Sequence, residues 1–237
     1  MMEKVQLRID EMNNYFVNES FKTLRTNLQF CGSDNKVIAV TSCDASEGKT
    51  TVALMLAKSL SELNKKVIFI DCDLRKSVVE TKYADTKNAN GMSEFLAGLV
   101  KKEDVIYSTQ YDNLDIIFSG PFCSNPVELM MGDAFVGLLK ELREKYDYVI
   151  VDTPPLGLVI DSAVVAKNCD GAIMVISAGR IRYKQAKKTK EQLEKSGCKI
   201  LGAVLNHVEK RGERYYKRYH KRYYGKGYYS NYLPQEN

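Results

Sequence analysis

The sequence predicts an α/β fold, a mostly parallel sheet flanked by helices on both faces. Two observations predict it. Short runs rich in Val, Ile and Leu recur between residues 36 and 206, and several lack the alternation of a sheet open to water on one side. Stretches with helical spacing lie between them, and strand–helix alternation of this kind builds parallel sheets covered on both sides.

In chain order, the expected strands are Lys36–Thr41, Val67–Ile70, Leu114–Phe118, Tyr148–Val151, Ala172–Ile176 and Ile200–Leu205. The expected helices begin with Asn14–Phe30, whose partly apolar side carries Phe16, Leu24, Leu28 and Phe30. Thr51–Leu63 follows the first strand. Residues 72–113 read as an irregular crossover with one short helix at Met92–Leu99. Val127–Tyr146 starts just after a proline and reads as one helix; Ile181–Ser196 is basic and polar, the pattern of a solvated helix. Three segments result: a lead at 1–35, a main domain at 36–206 and a tail at 207–237.

Composition excludes several classes. At 44% hydrophobic and 27% charged residues the chain is in the globular range. It has no apolar run long enough to span a membrane and no apolar signal core near Met1. The six cysteines form no CxxC pair, which argues for reduced thiols rather than disulfides or zinc. His207 and His220 have no nearby ligand pattern, so neither is expected to bind metal. The net charge of +5 is local: residues 213–237 hold six Lys/Arg against two Glu, while the first 212 residues hold 29 basic and 28 acidic side chains. That tail, with eight Tyr and Leu233 as its one aliphatic, cannot bury enough surface to offset its ordering entropy and is expected to be flexible.

The first strand runs into Ser42-Cys43-Asp44-Ala45-Ser46-Glu47-Gly48-Lys49-Thr50-Thr51 and then a helix. Gly48-Lys49-Thr50 is the end of a Walker A phosphate loop. Gly48 lets the backbone approach a phosphate. Ala45, Ser46, Glu47, Gly48 and Thr51 contribute the loop and helix-start backbone that faces an anion. Lys49 neutralises β and γ phosphates and the Thr50 hydroxyl ligates Mg²⁺. The usual first glycine falls on Cys43, so the strict GxxxxGK[ST] pattern fails. The expected cofactors are ATP and Mg²⁺, and the strand–loop–helix arrangement resembles the P-loop NTPase fold of the MinD/ParA-like superfamily.

Two more strand ends are acidic. Asp71 and Asp73 follow VIFI, and Asp152 follows VIV; ligands gather at the carboxyl ends of strands in open α/β sheets. Asp152 matches the Walker B role at Mg²⁺, directly or through water. Asp71 and Asp73 have no counterpart in many ATPases. A phenol, of pKa about 10, must lose its proton to accept a phosphoryl group, and a carboxylate beside Mg²⁺ can take it. Asp71 is favoured as base and also stands as a metal ligand; Asp73 is a metal partner or stands behind one, and the spacing does not separate the two roles. Asn206 faces adenine or is a plain turn residue. Arg75 contacts phosphate or pins Asp73. Asp161 reads as a helix cap, and Cys43 and Cys72 as inert buried thiols.

TSCDASEGKTT, VIFIDCDLRK and VIVDTPP together resemble the Walker A, A-prime and B motifs of the bacterial tyrosine kinases, the BY-kinase family, and most closely its cytoplasmic CpsD/CapB-type members of capsular and exopolysaccharide synthesis. GMSEFLAG at 91–98, SGPFCSNPVELM at 119–130 and the tyrosine-rich tail are similar to further family segments. Glu19, Lys22 and Arg25 resemble its ExxRxxR oligomerisation motif, with Lys22 where arginine is usual; Ala45 replaces the usual proline. The resemblance implies an ATP-dependent tyrosine kinase that autophosphorylates Tyr215, Tyr216, Tyr219, Tyr223, Tyr224, Tyr228, Tyr229 and Tyr232. It implies Lys49, Asp71, Asp73 and Asp152 as catalytic residues, and a homo-oligomer, as in a ring. It also implies a transmembrane polysaccharide-copolymerase-type adaptor that recruits the kinase to the inner face of the membrane, a cognate tyrosine phosphatase and protein tyrosine substrates. The competing readings are a ParA/MinD-like ATPase switch, disfavoured because Asp44 falls where its extra lysine would be, and a nucleic-acid or membrane module using the basic tail. The latter leaves the acidic strand ends unexplained, and no nucleic-acid partner is expected.

Overall fold

A computed structural model describes residues 4–9, 15–86 and 88–208. Its centre is an eight-stranded sheet in the order β1-β4-β5-β3-β6-β2-β7-β8. The strands are β1 Lys4–Val5, β2 Val37–Ser42, β3 Val67–Asp71, β4 Tyr107–Thr109, β5 Leu114–Ile117, β6 Tyr148–Asp152, β7 Gly171–Ser177 and β8 Ile200–Asn206. All neighbours pair in parallel except β4 and β5. β2 and β3 are buried at every position, which explains their unbroken apolar runs: both faces of a central parallel strand meet helices.

The pleat sorts these side chains. Ile38, Val40, Val67, Phe69 and Ile150 pack on one face with Val52, Leu54, Met55, Leu56 and Leu60 of α2, Lys49–Ser61. Val37, Ile68, Ile70, Val149 and Val151 point the other way, onto Phe135, Leu138, Leu139 and Leu142 of α5, Asp133–Lys145. Further along that second face Ala39, Ala172 and Met174 meet Ala163 of α6, Asp161–Ala166, and Leu193 of α7, Tyr183–Lys195. Outside α2 lies α1, Tyr15–Phe30, which buries Leu28. No helix among the described residues is long and apolar enough to cross a membrane.

The structure corrects three expectations. Residues 127–146 are not one helix: α4, Pro126–Met131, ends at Gly132, whose extended backbone (φ −72°, ψ 157°) caps both α4 and α5. The crossover at 72–113 holds α3, Met92–Leu96, and also three elements with too few residues to show a period: β4, a π-helical turn at Val79–Tyr83 and a 3-10 turn at Lys102–Asp104. The lead segment also contributes β1, which pairs with β4 and extends the far side of the sheet. The tail tyrosines 215–232 lie outside the described residues, as does His220.

Candidate active site

Three strand ends meet at the carboxyl edge of the sheet. β2 turns into the loop 43–48, whose Ser46 and Gly48 both have positive φ, 60° and 83°. That conformation disfavours a side-chain-bearing residue such as Ser46 by about 1–2 kcal/mol. Gly48 is the N-cap of α2 and no side chain caps that end, so the helix presents its first amides and positive dipole end for an anion. Opposite, Gly157 lies against the loop: a Cβ there would come 1.9 Å from the Cys43 carbonyl oxygen. No pattern in the sequence singles Gly157 out; the requirement exists only once the two loops are packed.

Lys49 bridges the acidic ends. Its Nζ lies 3.2 Å from Asp73 Oδ2, 3.4 Å from Asp152 Oδ2 and 3.2 Å from Thr50 Oγ1. Thr50 Oγ1 donates to Asp152 Oδ2 at 2.6 Å. Asp71 and Asp152 are partners in the β3–β6 register. The Asp71 carboxylate accepts from the Asp73 amide at 3.0 Å and from the Ser77 hydroxyl. Asp73 Oδ1 accepts from the Lys76 amide at 3.1 Å. Thr51 Oγ1 and the buried Tyr83 hydroxyl are 2.6 Å apart, which ties the start of α2 to the π-helical turn.

The electrostatics follow from burial. Asp71 and Asp152 are 0% and 1% exposed. Burial first, then the Asp152 charge, pushes the Asp71 carboxyl up to about 7, with Ser77 and Lys49 opposing. Asp152 is raised by burial too, against the pull of Lys49 and Thr50. Burial alone would lower Lys49; Asp152, Asp73 and Asp71 outweigh it and raise it. Three carboxylates thus share one lysine, and Asp152 Oδ1 is buried without a hydrogen-bond partner. This donor set suits a hard divalent cation. Among the described residues no group of three or more His, Cys, Asp or Glu is arranged to hold a metal ion; Mg²⁺ bound with nucleotide takes one or two carboxylates and is completed by phosphates and water.

The remaining candidates fall in different places. Asn206 reaches the phosphate loop, where its Nδ2 donates to the Glu47 carbonyl at 2.9 Å. The Glu47 side chain turns inward, and both its oxygens accept backbone amides, Asp44 at 2.7 Å and Ser177 at 2.8 Å. Asp161 is not a cap, since no side chain caps α6. It is the buried partner of Arg75, which donates at 2.7 and 3.2 Å, so Arg75 joins the β3 loop to α6. Cys43 and Cys72 are buried, and burial raises both thiols. On α1, Lys22 pairs with Glu19 at 2.7 Å on the exposed side. Arg25 turns inward instead, donating to the Ser59 carbonyl at 2.6 Å and reaching Glu62 at 3.5 Å. Segment 91–98 meets the start of 119–130 where the Ser93 amide donates to the Ser119 carbonyl at 2.9 Å, next to the Met92 amide's bond to the Phe118 carbonyl at 2.8 Å.

The AAA domain family model matches residues 35–185. The tyrosine-protein kinase CpsD of Streptococcus agalactiae is 40% identical over 197 residues, covering 83% of this chain and 85% of its own. The chain belongs to the bacterial tyrosine-protein kinase family. Among solved structures, the kinase domain of the Escherichia coli tyrosine kinase Etk superposes on this family member with a TM-score of 0.77 and 36% identity, covering 82% of this chain and 76% of that one. The septum site-determining protein MinD of Pyrococcus horikoshii, solved with Mg-ADP, gives 0.62 and 27%, covering 74% and 72%. The kinase thus shares its sheet and helices with the MinD-like ATPases.

Proposed function

We propose that this chain is an ATP- and Mg²⁺-dependent protein tyrosine kinase that phosphorylates its own C-terminal tyrosine cluster, in trans between copies. The carrying observation is the buried cluster of Lys49, Asp73 and Asp152 beside the phosphate loop, with Asp71 in register behind it. Lys49 and the first amides of α2 bind the β and γ phosphates. Thr50, Asp152 and Asp71 are the side chains suited to hold Mg²⁺, which when bound neutralises charge on those phosphates. A tail tyrosine oxygen attacks the γ phosphorus, the bond to the β-phosphate oxygen breaks and ADP leaves. Asp71, a buried carboxylate at the strand end beside Asp152, is the base that takes the phenolic proton in this reading; Asp73 holds Lys49 in line.

In the wider reading the kinase acts in capsular or exopolysaccharide synthesis. It works there as an oligomer with a transmembrane adaptor at the inner face of the membrane, opposed by a cognate phosphatase. The names of its relatives, the tyrosine-protein kinases CpsD and CapB, support the capsular part of this reading. The test is to incubate the purified full chain with Mg²⁺-ATP and a cytoplasmic adaptor fragment, then map phosphotyrosine. Label on Tyr215–Tyr232 is expected; ATP hydrolysis without phosphotyrosine would instead assign the chain to the MinD-like switches.

A further inference from the structure

Glu47 is a buried carboxylate, 1% exposed, inside a loop that binds anions. A free carboxylate there would repel phosphate, yet this one is turned away and spends both oxygens on amides. One is the Asp44 amide of the loop itself, the other the Ser177 amide that ends β7. Its main-chain carbonyl is held by Asn206, which ends β8. Ser177 and Asn206 are register partners across β7 and β8, and the Ala178 amide donates to the Asn206 carbonyl at 2.8 Å. The last rung of this ladder therefore grips Glu47 by its side chain and its main chain together. The gripped residue lies between the two positive-φ positions, Ser46 and Gly48, where the loop most needs an external hold.

We infer that Glu47 and Asn206 are positioning residues: they lock the phosphate loop onto the ends of β7 and β8, and Asn206 acts on nucleotide through the loop rather than by reading the base. This rests on the nucleotide-binding reading of the loop, not on the kinase reaction. Adenine recognition by Asn206 makes a different prediction. Inosine diphosphate carries a carbonyl where ADP carries the exocyclic amine, so a residue reading that amine distinguishes the two, and a loop anchor does not.

The experiment uses the full chain with Mg²⁺ and measures binding of ADP and inosine diphosphate directly, by displacement of a fluorescent ADP analogue, together with melting of the free protein. Asn206→Ala should weaken both nucleotides by the same factor, about three- to tenfold, the scale of one lost hydrogen bond. Glu47→Ala should weaken both by about tenfold or more, because two amides lose a charged acceptor. Glu47→Gln should fall between, because one amide oxygen can still accept. Loss of ADP affinity with inosine diphosphate unchanged in Asn206→Ala would overturn the inference in favour of base reading. A lowered melting temperature with both affinities intact in the folded variants would reduce the anchor to a stability role and overturn it too. Should Glu47→Ala not fold, Asn206→Ala, at a half-buried position, decides the matter. ADP binding is read without phosphotransfer, so a chain that makes no phosphotyrosine would sink the kinase reading and leave this series interpretable.

Discussion

Asp71 and Asp152 face each other as the last register pair of β3 and β6, both sealed from solvent. Two like charges at adjacent strand ends oppose one another, and burial removes the water that would screen them. The folded state therefore holds the Asp71 proton more tightly than an unfolded chain does. That carboxyl moves from 3.8 to about 7, so its contribution to stability is full below 3.8 and is lost as pH rises toward 7. In the absence of Mg²⁺ and nucleotide, Asp71→Asn should be increasingly stabilised relative to the parent as pH rises through that window. Melting curves of the pair across pH check it; a difference that stays flat would show that Asp71 does not carry the shifted proton.

The same substitution separates base from ligand. Asp71→Asn keeps the shape and removes the proton acceptor, so phosphotyrosine formation should fall by about a hundredfold or more, with ADP affinity changed much less. Parallel losses in turnover and affinity would make Asp71 chiefly a ligand for metal or nucleotide. Asp73→Asn, which loosens Lys49, should raise the KM for ATP as well as lower turnover.

Lys49→Met should reduce phosphotransfer by about a hundredfold or more, since the positive charge at the phosphates is gone. It should also lower the melting temperature of the free protein, because Asp73 and Asp152 lose their shared cation. Mg²⁺ should restore more of that stability in the mutant than it adds to the parent. Differential scanning fluorimetry with and without Mg²⁺ measures both, and near-normal autophosphorylation in the folded mutant would remove Lys49 from the site.

Arg75→Ala strands the buried Asp161 carboxylate. A fully buried pair broken this way costs about 3–5 kcal/mol; the Arg75 side chain is 38% exposed, so about 1–2 kcal/mol is expected after solvent screening. Adding Asp161→Asn should recover part of the loss. Denaturant unfolding of the two single variants and the double variant gives the coupling, and simple additivity would show that the pair contributes nothing.

The α1 charges should divide. Arg25→Ala removes hydrogen bonds to Ser59 and should destabilise the single chain by about 1–2 kcal/mol. Lys22→Ala with Glu19→Ala removes one exposed pair, an effect below about 1 kcal/mol. If this face joins copies, the outward pair should shrink the particle seen by light scattering without moving the melting temperature. Unchanged mass, measured where the parent is oligomeric, would take Glu19 and Lys22 out of the interface.

Much of the architecture was legible in the chain because it rests on local order. A strand buried on both faces must be apolar throughout, so β2, β3 and β6 announced themselves, and each acidic residue after such a strand had to fall at the same sheet edge. Gly48-Lys49-Thr50 fell between strand and helix for the same reason, and Gly48 caps α2 there without a side-chain cap. The short pieces did not announce themselves: β1 and β4 are too brief for periodicity, and Gly132 breaks a helix whose two halves share one apolar pattern. Side-chain partnerships were decided only by tertiary packing. Arg75 and Asp161, Glu47 and Ser177, and Arg25 and Ser59 are each far apart along the chain. A charge or hydrogen-bonding group carries no mark of which distant group will neutralise it; the sheet brings the two together, and burial then makes the pairing obligatory.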